Sequence, residues 1–95
     1  MIVESALITV RDGSQSAFEA AFPEAEKFLT ASPGHLGHHL RRSIESPTRY
    51  LLTVEWRTLA DHTEGFRGSP AFASWRAVIG PFFAVPPVVE HFEDP

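Results

Sequence analysis

Residues 35–56 read HLGHHLRRSIESPTRYLLTVEW. Two runs of two-residue period flank Glu45-Ser46-Pro47-Thr48, a segment with turn chemistry. In the first run, His35 to Ile44, alternation places Leu36, His38, Leu40, Arg42 and Ile44 on one face. In the second, Arg49 to Trp56, it groups Tyr50, Leu52, Val54 and Trp56 opposite Leu51, Thr53 and Glu55. Two such runs across a short polar turn predict an antiparallel hairpin.

Upstream, Ile2 to Val10 is apolar and β-branched apart from Glu4 and Ser5, and reads as a strand covered on both faces. Asp12-Gly13-Ser14 forms a turn and a helix cap. Phe18, Phe22, Ala25 and Leu29 then recur at helical spacing, Pro23 predicts a kink, and Ser32-Pro33-Gly34 ends the helix. Downstream of the hairpin, Thr58-Leu59-Ala60-Asp61 resembles a capping box with Asp in place of Glu. Leu59 and Phe66 mark the buried stripe of the helix it opens. Gly68 breaks that helix, and Ser69-Pro70 restarts it as cap and first residue, with Phe72, Trp75 and Ile79 facing inward. Gly80-Pro81 closes it, and Pro86-Pro87 precedes a last strand, Val88 to Glu93.

The order β-α-β-β-α-β over residues 1–95 predicts one α+β domain of ferredoxin-like topology. That topology is a four-stranded antiparallel sheet, strand order 4-1-3-2, with both helices on one face. The other face has no cover within the chain. It carries either Val3, Leu7 and Thr9 or Ile2, Ala6, Ile8 and Val10, and neither set is polar enough for water. A homodimer packed through the helix-free sheet face is therefore expected.

Composition narrows the functions. The 95 residues hold no Cys, which removes disulfides, thiolate metal sites and thiol nucleophiles. A net charge of −4 argues against nucleic-acid partners. No apolar run approaches the roughly 20 residues of a membrane span. Met1-Ile2-Val3-Glu4 lacks the basic start of a secretory signal, so a cytoplasmic protein is expected. Eight Phe among 12% aromatics suggest an aromatic-lined interior.

The element order, the strand end Val54-Glu55-Trp56 and the segment His62-Thr63-Glu64-Gly65-Phe66-Arg67-Gly68-Ser69-Pro70 carry a family resemblance. Gly80-Pro81-Phe82-Phe83 and Pro87-Val88-Val89-Glu90-His91-Phe92 extend it over essentially the whole chain. The chain resembles the antibiotic biosynthesis monooxygenase family, small domains that form dimeric α/β barrels. The resemblance implies cofactor-free oxygenation of an aromatic, quinol or polyketide-type substrate. The substrate loses a proton, and its anion reduces molecular oxygen. The family's haem-degrading branch uses an Asn on the first strand and a Trp and a proximal His on the second helix. At the matching positions this chain has Ala6, Phe66 and Arg76, so haem degradation is the less favoured reading.

Individual residues each carry two readings. His62 is either a boundary histidine bonded to backbone or a general base at the margin between helix and sheet. Arg67 either pairs with Glu64 or stabilises a developing enolate or phenolate oxygen. His38 is either a dimer-interface residue or a substrate contact. Tyr50, Trp56, Phe66, Phe72, Trp75 and Phe82 are either plain core or the walls of an aromatic pocket. No metal site is expected: alternation turns His38 away from His35 and His39, and His38 and His91 fall on opposite sheet edges. The working assignment is a dimeric cofactor-free monooxygenase with His62 as base, Arg67 as anion stabiliser and the others lining the site. The rival is a non-catalytic dimeric ligand-binding or stress-response module.

Overall fold

Alternation along the first strand decides which side of the sheet is covered. In the computed structural model, which describes residues 1–95, β1 (Ile2–Thr9) is followed by α1 (Gln15–Thr30), β2 (His35–Arg42) and β3 (Arg49–Trp56). A π-helical segment (Asp61–Phe66), α2 (Pro70–Ile79), a 3₁₀ turn (Gly80–Phe82) and β4 (Val88–Phe92) complete the chain. All strand pairs are antiparallel, in the order β2-β3-β1-β4. This is the expected ferredoxin-like arrangement. No helix is long and apolar enough to cross a membrane.

Glu4, Ala6, Ile8 and Val10 turn towards the helices and are buried, as are Tyr50, Leu52, Val54 and Trp56 opposite them. α1 lays Phe18, Phe22, Ala25 and Leu29 on this surface, and α2 adds Trp75 and Ile79. Burying these side chains is the main favourable term in folding. The helix continues across Pro23, the position of the expected kink. Pro23 is on the exposed side of α1, where a carbonyl left without its helical partner can bond water.

Within one chain β1 is covered on one face, by the helices. The open face takes the odd-numbered set, and cross-strand register assembles it into a patch. Leu7 stands between Leu51 and Val88, and Val3 lies opposite Phe92. Leu51, Val88 and Phe92 are 37%, 66% and 50% exposed.

β2 departs from simple alternation. His35 pairs with Trp56 and Gly37 with Glu55, so an extra residue, Leu36, bulges out of the ladder. The bulge resets the parity, and His35 and His38 therefore face the same side rather than opposite sides. β2 also stops at Arg42, because the hairpin closes through Ser43 N–H to Arg49 O and Ser46 N–H to Ser43 Oγ. Ile44 is left in the turn and fully open.

The capping box forms in both directions. Asp61 N–H donates to Thr58 Oγ1, and Asp61 Oδ2 accepts from Thr58 N–H and its hydroxyl. Arg57 adds two bonds to the same carboxylate, holding the Asp61 carboxyl below its usual range. Gly34, at φ 86°, lies against this cap, and a Cβ there would stand 2.3 Å from Asp61 Cγ. Gly34→Ala combines left-handed strain with that clash. A loss of more than about 1 kcal/mol in urea unfolding is expected; wild-type stability in the variant would contradict the packing of this corner.

Candidate functional site

The π-helical segment aims the central side chain. Arg67 N–H donates to His62 O, an i→i+5 bond that widens the turn, so residues four apart share its inner face. His62 and Phe66 are buried at 2% and 4% exposure, whereas Leu59 is 48% exposed. The expected stripe of Leu59 and Phe66 with His62 at its margin is corrected accordingly. Gly68 ends the segment where only glycine fits, since a Cβ would meet Glu64 O at 2.4 Å.

His62 meets a carboxylate from the first strand. Its Nε2 lies 3.2 Å from Glu4 Oε1, which also accepts the indole N–H of Trp56 at 3.0 Å. Its Nδ1 lies 2.8 Å from His91 Nε2. β4 brings His91 there because His91 pairs with Glu4 in the sheet register. The Trp56 ring stacks on the His62 imidazole, 5.3 Å between centroids and 19° between planes. The indole can only donate. With His62 neutral and Glu4 ionised, the contacts fit a His62 proton on Nε2, towards Glu4 Oε1, with His91 Nε2–H donating to His62 Nδ1. Glu4 Oε2 keeps no protein partner.

Burial pushes the Glu4 carboxyl up, against the lowering effects of the Trp56 hydrogen bond and the Arg67 charge. Burial, reinforced by Arg67 and His91, takes His62 down to about 4. His91 is lowered by its own burial and by Arg67. Both partners of the pair are thus driven towards their neutral forms, although their contact has ion-pair geometry.

This network faces a cavity of about 250 Å³. Glu4, Ala6 and Ile8 form its floor with Leu52, Val54 and Val89. Phe66, Phe72, Trp75 and Ile79 supply the wall from the helices, and Phe83, Pro86 and Pro87 close it from the loop before β4. That loop is tied down by Ala84 N–H to Thr9 O and by the Val10–Phe83 bridge. Arg67 and Arg76 are the cations of the lining. Arg67 makes no ion pair with Glu64.

Of the residues singled out from sequence, His62, Arg67, Phe66, Phe72 and Trp75 are brought together around the cavity. Trp56 stands behind His62 and does not line it. His38 and Tyr50 face the helices near the other sheet edge. His38 Nε2 bonds Glu26 and its Nδ1 meets His35 Nε2, 2.9 Å away; the Tyr50 hydroxyl donates to Glu19, which Arg42 also reaches. Phe82 packs edge-on to Phe18. Glu4 and His91 were not singled out. Glu4 was legible as a carboxylate in phase with Ala6, Ile8 and Val10; His91 becomes apparent only through long-range register.

The sequence profile described as antibiotic biosynthesis monooxygenase matches residues 1–78. The chain belongs to the antibiotic biosynthesis monooxygenase family. It is 42% identical over 94 residues to the uncharacterized protein YczJ of Bacillus subtilis, covering 99% of each chain. It superposes with a TM-score of 0.94 on a candidate antibiotic biosynthesis monooxygenase from Bordetella bronchiseptica, 40% identical, covering 99% of this chain and 96% of the other. SnoaB, a cofactor-independent oxygenase from Streptomyces nogalater, shares the fold at a TM-score of 0.82 and 18% identity, over 98% and 91% of the two chains.

The His62 assignment has a direct readout. In an NMR titration of the imidazole nitrogens, His62 is expected to titrate near about 4. A midpoint at the ordinary value near 6.5 would show that the imidazole is not held in this buried chain.

Proposed function

We propose that the protein is a cofactor-independent monooxygenase acting on a small aromatic phenol, quinol or anthrone-type carbon acid, and that it works as a homodimer. The observation that carries this reading is a buried Glu4–His62 pair opening onto an otherwise apolar cavity, with the Arg67 charge close enough to act on both. Membership of a monooxygenase-type family supports it, as does the shared fold of a cofactor-independent oxygenase.

The hydrogen bonds distribute the roles. His62 Nδ1 is bonded to His91 and its Nε2 faces Glu4 Oε1 at 3.2 Å, so we assign the substrate proton to Glu4 Oε2. A carboxylate whose affinity for protons is raised by burial is suited to act as a base near neutral pH. His62 and Trp56 hold it in place. Arg67 stabilises the substrate anion as it forms. For an anthrone-type CH₂ group, loss of the proton gives a carbanion that passes an electron to molecular oxygen, and recombination forms a C–O bond. The peroxide then loses water, so one oxygen atom remains as a carbonyl and the other leaves as water. The substrate carbon is the reductant, and the reading assigns no cofactor.

The apolar patch of Val3, Leu7, Leu51, Val88 and Phe92 fits a second copy of the chain, sheet against sheet. Sedimentation equilibrium is expected to give twice the 10.5 kDa chain mass. Leu7→Glu should shift it towards a monomer; a wild-type monomer would rule out this packing.

Oxygen uptake with a panel of anthrones and hydroxyquinols tests the chemistry. Glu4→Gln is expected to lower the turnover of any accepted substrate on the order of a hundredfold, the low end of general base catalysis, while the ligand still binds. Equal rates in wild type and variant would remove Glu4 from the mechanism. Binding without oxygen uptake across the panel would instead favour the ligand-binding module.

A further inference from the structure

The cavity is electrically lopsided, and the lopsidedness describes its ligand. Glu4, His62 and the Arg67 charge occupy one end: Arg67 lowers His62 and His91 and pulls against the rise of Glu4. Arg76 lines the same cavity. It lies over the Phe72 ring, 5.9 Å from its centroid. Apolar walls from Phe66, Trp75 and Val89 complete the lining.

Arg76 is also without a protein counter-charge. Arg42 pairs with Glu19, Arg57 pairs with Asp61, and Arg11 bonds the Pro81 carbonyl; Arg67, the other cation of the lining, is likewise unpaired but its charge falls on Glu4 and His62. The Arg76 guanidinium enters no ion pair and no hydrogen bond. The one carboxylate lining the cavity, Glu4, is committed to Trp56 and His62. Arg76 is exposed, so a chain of net charge −4 presents a water-solvated, fork-shaped donor at the rim of the chamber, free to take an anionic partner.

We propose that Arg76 anchors a fixed carboxylate on the substrate, so that the ligand class is aromatic hydroxy acids rather than neutral phenols or quinols. The proposal rests on reading the cavity as the substrate site and adds the orientation of the ligand. The carboxylate meets the guanidinium beside Phe72, the ring lies against the wall that Phe66 and Trp75 form by packing edge-on to each other, and the acidic proton is delivered to Glu4. Repulsion between the ligand carboxylate and Glu4 disfavours the reversed orientation. A guanidinium bound to a carboxylate forms two parallel charge-assisted bonds, which a neutral ligand cannot match.

A binding experiment separates this from turnover. The probes are a hydroxynaphthoate and its neutral carboxamide, nearly identical in size and not readily oxidised, titrated by calorimetry and by Trp fluorescence. Wild type is expected to favour the carboxylate by about tenfold, as one such anchored charge pair warrants. Arg76→Gln should abolish that preference while leaving the carboxamide affinity unchanged, and Arg76→Lys should restore part of it. Lys27→Gln, which makes the same change in net charge on the exposed side of α1, should keep the preference. Equal affinities for the two probes in wild type, or a preference lost equally in the Lys27 variant, would overturn the anchor and leave the cavity reading intact. Failure of both probes to bind would overturn both.

Discussion

A carboxylate placed in phase with the core residues of a central strand sets the terms for the rest of this molecule. Glu4 points from β1 into the layer between sheet and helices, where an unpartnered charge would cost several kcal/mol. The structure meets that constraint with two groups from distant parts of the chain: the Trp56 indole, 52 residues away, which donates to it, and the His62 imidazole, whose Nε2 lies 3.2 Å from it. His91 then satisfies the far side of His62. Each partner depends on a separate structural device, namely the β1–β3 register for Trp56, the widened turn for His62 and the β1–β4 register for His91. A core built only for stability would more cheaply hold an apolar residue at position 4. A buried acid at the edge of a cavity is the feature on which the proposed chemistry rests.

The cavity follows from the same geometry. Small residues on the floor, Ala6 among them, sit beneath large ones on the wall, Phe72 and Trp75, and the helices do not close completely on the sheet. The loop from Phe83 to Pro87 covers one side and is fixed to the end of β1 by backbone bonds. The opposite face of the sheet carries the apolar patch of Leu7, Leu51, Val88 and Phe92.

Much of this architecture is legible in the sequence. The even positions of β3, the stripe of α1 and the restart at Ser69-Pro70 are local patterns, and the structure reproduces them. Three features are not legible. A one-residue bulge at Leu36 reverses the parity of every position before it, so His35 joins His38 instead of opposing it. The cap at Thr58 and Asp61 serves an α-turn and a π-turn equally well, so it could not show that His62 rather than Leu59 faces inward. Nothing local connects His91 to Glu4; only strand register does. Glu4 is the instructive case, because a single Glu among Ala6, Ile8 and Val10 can be read as strand polarity until its phase is compared with theirs.

The account stands on Glu4 being held in a buried, hydrogen-bonded setting that raises its affinity for protons. Isotope-edited infrared spectroscopy of the Glu4 carboxyl across a pH series measures that state at the atom concerned. The account predicts that the protonated carboxyl band persists above the ordinary carboxylate midpoint of 4.5. A band that disappears at or below that value would place Glu4 in water and contradict the account.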